Sequence, residues 1–114
     1  MSIGKRIAAK RAEKVRNFVD VEGWGEGDDP LRLYFTEASA RDLEKITRKY
    51  KEFLTHPSMS AMVEMIIMKC EDEKGDAVFT LEDKADLLGE PIGKIASVFG
   101  SVFNADSVEE HEKN

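Results

Sequence analysis

The spacing of apolar side chains changes several times along the chain, and each change marks an expected element. Ile3, Ile7 and Ala8 fall at i, i+4 and i+5, which allows one short amphipathic helix with a narrow apolar face within an N-terminal arm, residues 1–14. From Val15 the period becomes two. Val15, Asn17, Val19 and Val21 alternate with Arg16, Phe18, Asp20 and Glu22, as in a partly buried strand. Gly23, Gly25, Gly27, Asp28, Asp29 and Pro30 then form a dense turn signal, after which Leu31, Leu33 and Phe35 resume the alternation. The segment reads as a β-hairpin with a long acidic loop. Trp24, flanked by glycines at the start of that loop, either caps the hairpin core or anchors a partner, and capping is the simpler reading.

Helical spacing follows. Ser39 can cap a helix with Asp42 three residues on, and Leu43, Ile46, Tyr50, Phe53 and Leu54 supply its apolar stripe opposite a basic face with interleaved acids. Thr55-His56-Pro57 ends that helix, because the residue before proline avoids helical geometry and proline suits the next first turn. The segment after Pro57 carries Met59, Met62, Val63, Met65, Ile66, Ile67, Met68 and Cys70, apolar around most of its circumference, and is expected to be the central core helix. Its methionines also suit adaptable protein binding. After the polar turn 71–76 and an extended piece near Val78, Thr80 to Asp83 repeats a capping box ahead of a helix reaching Leu88, with Leu81, Ala85 and Leu88 expected inward. Gly89 and Pro91 separate this from a last amphipathic helix bearing Ile92, Ile95, Ala96, Phe99, Val102 and Phe103. The expected fold is α+β: an N-terminal β-hairpin packed with about four α-helices in one small domain, residues 15–104, followed by a flexible acidic tail, residues 105–114.

Composition narrows the function. The 114 residues hold 17 Lys+Arg against 23 Asp+Glu, and the net charge of −6 argues against a general nucleic-acid binder. The charge is uneven, +5 over residues 1–16 and −5 over residues 17–30, so a solvated leader and an arm for nucleic acid or an acidic partner are both readings of the N-terminus. The longest apolar run, Met65 to Met68, is far too short to span a membrane, and Lys10-Arg11 interrupts anything like a signal peptide. One cysteine, Cys70, and two distant histidines, His56 and His111, make neither a disulfide nor a zinc set, which fits a reducing cytoplasm.

No catalytic constellation emerges. Gly23 to Gly27 is ringed by carboxylates that would repel phosphate, and Cys70 lies on an apolar face without a neighbouring base. The acidic turn after Cys70 has lysine where an EF-hand needs a ligand and glycine at the wrong place, so calcium is not expected. No enzyme activity, cofactor or metal is expected, and binding is the favoured role. Candidate partner-binding residues are Trp24, Met62, Met65, Phe99 and Phe103, although both the methionine and the phenylalanine stripes first satisfy the needs of a core.

The order of these signals resembles the tail assembly chaperones of long-tailed bacteriophages and prophages. The similarity lies in Val21-Glu22-Gly23-Trp24-Gly25, in Leu31 to Phe35 running through Ser39 and Asp42 into a helix, in Cys70 to Thr80, and in the acidic end Val108 to Asn114. The loop Glu26 to Pro30 and the basic arm depart from that pattern. The resemblance implies a non-enzymatic protein of the bacterial host cytoplasm, absent from the mature virion, that binds the tape measure protein, keeps it soluble and helps recruit tail tube protein. It also implies the short form of a gene product that a programmed frameshift often lengthens, and a homo-oligomer is compatible with it. A structural head–tail joining or tail completion protein, and a small regulator binding nucleic acid through the basic arm and residues 41–51, are the alternatives.

Overall fold

Local sequence chemistry places each element of the computed structural model, which describes residues 2–13 and 16–103. Ser2 accepts from the Lys5 backbone N–H at 3.1 Å and so caps α1, Ile3–Ala12. No residue of α1 is buried, and Ile3 and Ile7 remain 67% and 58% exposed. Val15 and the tail 105–114, to which the sequence assigns a strand position and an acidic flexible end, lie outside the described residues.

The alternation around the glycine loop produces β1, Asn17–Val21, and β2, Leu31–Phe35, antiparallel with Val19 opposite Leu33 and Val21 opposite Leu31. Val21, Leu33 and Phe35 enter the core, while Phe18, Asp20 and Arg32 face outward. The outer edge of β2 is partly covered: Tyr34 and Glu71 exchange backbone hydrogen bonds at 2.9 and 2.8 Å, and Glu71 also pairs with Ala77. That bridge is the extended piece expected near Val78. Among the described residues no strand covers the outer edge of β1.

The loop closes tightly at Gly25. A Cβ there would stand 2.2 Å from the Asp29 carbonyl oxygen and 2.8 Å from the Pro30 carbonyl carbon, both backbone atoms that cannot swing aside. Gly25→Ala is expected to cost about 1–3 kcal/mol as the loop shifts to relieve the clash. Gly27→Ala, with open space but a φ of +59°, tests strain alone and is expected to cost about 1 kcal/mol. Urea unfolding of both variants would check the order.

Ser39 and Asp42 form the reciprocal capping box that starts α2, Ala40–Lys49. The helix ends sooner than its apolar stripe: Tyr50 leaves helical geometry, and the turns that follow bring Phe53 into the core but leave Leu54 66% exposed. Ser58 caps α3, Met59–Lys69, by accepting from Ala61. The expectation of a central helix holds, with Ala61, Val63, Met65, Ile66 and Ile67 all buried and α2, α4 and α5 packed around it.

The segment after Thr80 departs from the expected phase. Leu81–Asp83 is a 3-10 turn, and only Lys84–Leu88 is α-helical, forming α4. Three residues per turn instead of 3.6 rotates the sequence, so Leu87 points inward while Leu81 and Leu88 are 64% and 42% exposed. The last helix, α5, spans Ile92–Phe103 and buries Ile95, Val98, Phe99 and Val102, whereas Ile92, at its first position, is 72% exposed. The result is a single small α+β domain, a two-stranded hairpin against a layer of helices.

Candidate functional site

The residues singled out from the sequence divide between core and surface. Met65 is fully buried and Phe99 nearly so, which commits both to the interior of the folded monomer. Met62 and Phe103 are half-buried against the same core. Phe53 meets Phe99 and Phe103 edge-on at centroid distances of 5.9 and 5.5 Å, and the latter two stack at 5.4 Å. The phenylalanine stripe of α5 is thus the wedge that ties the turn after α2 to the last helix.

Trp24 is half-buried. Its ring meets Phe79 edge-to-face at 6.0 Å, and its indole N–H donates to a Glu90 carboxylate oxygen. One side chain thereby joins the hairpin loop to the segments on either side of α4, and Trp24 caps the core. Nearby, the Lys94 ammonium donates to the Glu22 carbonyl at 2.7 Å and fixes α5 to the end of β1. A shallow groove of about 400 Å³ runs between them, lined by Val19, Val21, Pro91, Lys94 and Val98 among others.

Arg16, which the sequence groups with the basic arm, instead clamps the body. Its guanidinium donates to the Glu71 carboxylate at 2.7 Å and to the Asp72 and Glu73 carbonyls, and it lies over the Tyr34 ring at 4.8 Å. The acidic turn it grips is satisfied internally, because Asp72 accepts from the Lys74 and Asp76 backbone N–H groups at 2.9 Å. No group of three or more potential metal ligands occurs among the described residues.

The densest polar cluster was missed from the sequence. Glu64 is the one acidic residue of α3, and its side chain is only 10% exposed. Its two oxygens accept from Lys49 at 2.9 Å, from Lys84 at 2.8 Å and from the Tyr50 hydroxyl. Burial alone would raise its pKa, but the hydrogen bonds from Lys84, Tyr50 and Lys49 outweigh it and lower the carboxyl to about 2. A lone glutamate inside Met59–Lys69 was the available signal; its partners on two other elements were not visible. Beside this cluster a second groove, about 300 Å³, lies between α2 and α3, lined by Lys45, Ile46, Lys49, Ile67, Met68 and Leu81 together with Glu64.

Cys70 is buried, and burial pushes its thiol up to about 12. The native protein is expected to resist alkylation at neutral pH and to react only when unfolded, since the thiolate is the nucleophile. Mass analysis after iodoacetamide treatment with and without urea checks this; rapid modification of the native form would contradict the burial. No helix among the described residues is long and apolar enough to cross a membrane.

Comparison with models of protein families, with curated proteins and with solved structures finds no match to this chain.

Proposed function

We propose that this protein is a non-enzymatic tail assembly chaperone of a long-tailed bacteriophage or prophage. It binds the tape measure protein in the host cytoplasm, keeps it soluble and helps recruit tail tube protein, then leaves before the virion is complete. The observation that carries the reading is the order of sequence motifs: the tryptophan–glycine turn, the strand running into the Ser39–Asp42 cap, and the Cys70 to Thr80 turn, in that sequence and spacing. A chaperone for a long helical client needs reversible apolar surface, and Ile3, Ile7, Leu54, Leu81 and Ile92 all stand more than half exposed. The Glu64 cluster and the buried Cys70 serve stability and support no reaction.

Co-expression with the tape measure protein encoded beside the gene, followed by pull-down, tests the proposal. A soluble complex is expected, with the client insoluble when expressed alone. Failure to bind or rescue, with the protein present in purified particles, would favour a structural head–tail joining or tail completion role. The edge of β1, which no strand among the described residues pairs with and beside which Phe18 is 52% exposed, is the feature that favours this second reading, since such an edge can pair with another copy in a ring.

A further inference from the structure

The N-terminal helix and the hairpin loop carry opposite charges, and neither is met by a partner among the described residues. On α1 the stripe at i, i+3, i+4, i+7 and i+8 reads Ile3, Arg6, Ile7, Lys10 and Arg11, while Gly4, Ala8 and Ala12 make the opposite side small. No acid lies within the helix. The side chains of Lys5, Arg6, Lys10 and Arg11 make no hydrogen bond or ion pair among the described residues. A helix of ten residues that buries none of them is marginal in water, and packing against a surface is what stabilises such a segment.

The loop between the strands is its complement. Residues 17–31 contain no lysine or arginine, and Glu22, Glu26, Asp28 and Asp29 are exposed with no side-chain partner among the described residues. The bond from Trp24 brings Glu90 to the same place. Lys94, whose ammonium donates to the Glu22 carbonyl at 2.7 Å, is the cation set among these five carboxylates, and it offsets one of them. Arg32 and Lys84 are already paired with Asp20 and Glu64 at 2.8 Å each. The groove between β1 and α5 opens beside Glu22, and Val19, Val21, Pro91 and Val98 give it an apolar lining.

We infer that α1 of one copy docks in the β1–α5 groove of a second copy, against its acidic loop. Ile3 and Ile7 lie on the groove's valines and Pro91, and Arg6, Lys10 and Arg11 face Glu22 and the loop acids. A ten-residue helix is about 15 Å long, close to the length of the five-residue strand beside the groove. No α1 residue lines the groove of its own chain. The helix joins the body next to Arg16, which Glu71 holds at 2.7 Å, and β1 runs from there to the loop, so the two surfaces stand at opposite ends of β1. The contact is therefore head-to-tail, and each copy that offers its helix still has a free loop, which builds a ring or an open chain. A nucleic-acid backbone would use the arm but leave the groove empty and bring phosphate to a chain of net charge −6. The inference goes beyond the tail-assembly reading and uses neither its client nor the paired edge of β1.

Sedimentation velocity of the full chain, from about 5 to 300 μM at about 50 mM salt, is expected to show association that continues past the dimer and is lost near about 500 mM salt. Two variants separate the surfaces. One carries Arg6→Gln, Lys10→Gln and Arg11→Gln, and the other Glu26→Gln, Asp28→Asn and Asp29→Asn. Each is expected to weaken association by about tenfold or more, and all six side chains are exposed, so thermal melts should overlay the parent. Mixed in equal amounts, the two variants should form a one-to-one complex and stop there, because one supplies the helix and the other the loop. Ile7→Ser, which changes no charge, should weaken association several-fold. The inference is overturned if the parent stays monomeric throughout, if either triple variant associates like the parent, or if the mixture yields no complex. None of these results bears on whether the tape measure protein is bound, so each reading can fail without the other.

Discussion

Replacing Met65 with alanine is expected to destabilise the protein by about 2–5 kcal/mol, the range for deleting a large buried aliphatic side chain and leaving a cavity. Met65 has no exposed surface and sits in α3, the helix against which α2, α4 and α5 pack. Neighbouring side chains from several elements would have to collapse into the space, and a core held from three sides relaxes poorly. A small domain has a total stability of about 5–15 kcal/mol, so the variant should melt about 10 °C or more below the parent and lose much of its margin in urea. Met62→Ala is the internal comparison. Met62 lies three residues away on the same helix but is half-buried, and its truncation should cost roughly 1 kcal/mol. Equal and small effects at both positions would mean that Met65 is not the core residue its burial indicates.

That contrast also shows where sequence reading reaches its limit. The alternation of Val19 and Val21, and of Leu31, Leu33 and Phe35, determines a hairpin because a strand's side chains have period two and only one face can be buried. Ser39 with Asp42 marks the start of α2 because both halves of the cap lie within one turn. A single α-helical period carried back to Thr80 sets Leu81 inward, and a 3-10 turn breaks that phase without any residue that announces it. Leu54 and Ile92 share the apolar stripes in sequence but stand exposed, because the backbone has left the packed layer by Leu54 and has not fully entered it at Ile92. Trp24 was legible as a cap for the core, but its acceptor Glu90 is 66 residues distant and only the fold brings the two together. Apolar character alone does not separate a partner-binding side chain from a core one, and Met65 and Phe99 are interior.

Glu64→Gln is expected to lower stability at pH 7 by about 1–3 kcal/mol and to flatten its dependence on acid. In the parent, Glu64 accepts from two ammonium groups and a phenol while its side chain is 10% exposed, and its folded carboxyl lies at about 2. An unfolded glutamate titrates near 4.3. Because the folded value is the lower one, the native state binds fewer protons than the unfolded chain in between. The stabilisation is therefore complete above the unfolded pKa and is lost as pH falls from about 5 toward 2. Asp42 acts in the same direction: burial opposes ionisation, but Lys69 at 2.7 Å and the Ser39 backbone N–H hold its carboxyl below the usual value. Asp20, fully exposed, is also lowered by its hydrogen bond from Arg32, so acid sensitivity should be shared among the three, with Glu64→Gln removing one part of it and Asp42→Asn another. Urea midpoints measured from pH 7 down to pH 3 for the parent and both variants separate the contributions. If the Glu64→Gln profile runs parallel to that of the parent, the carboxylate is not held ionised by Lys49, Tyr50 and Lys84. If it is flatter, the single acid of α3 couples the central helix to the start of α4 and, beside the Asp42–Lys69 pair, to α2, and acid would loosen the domain at that junction.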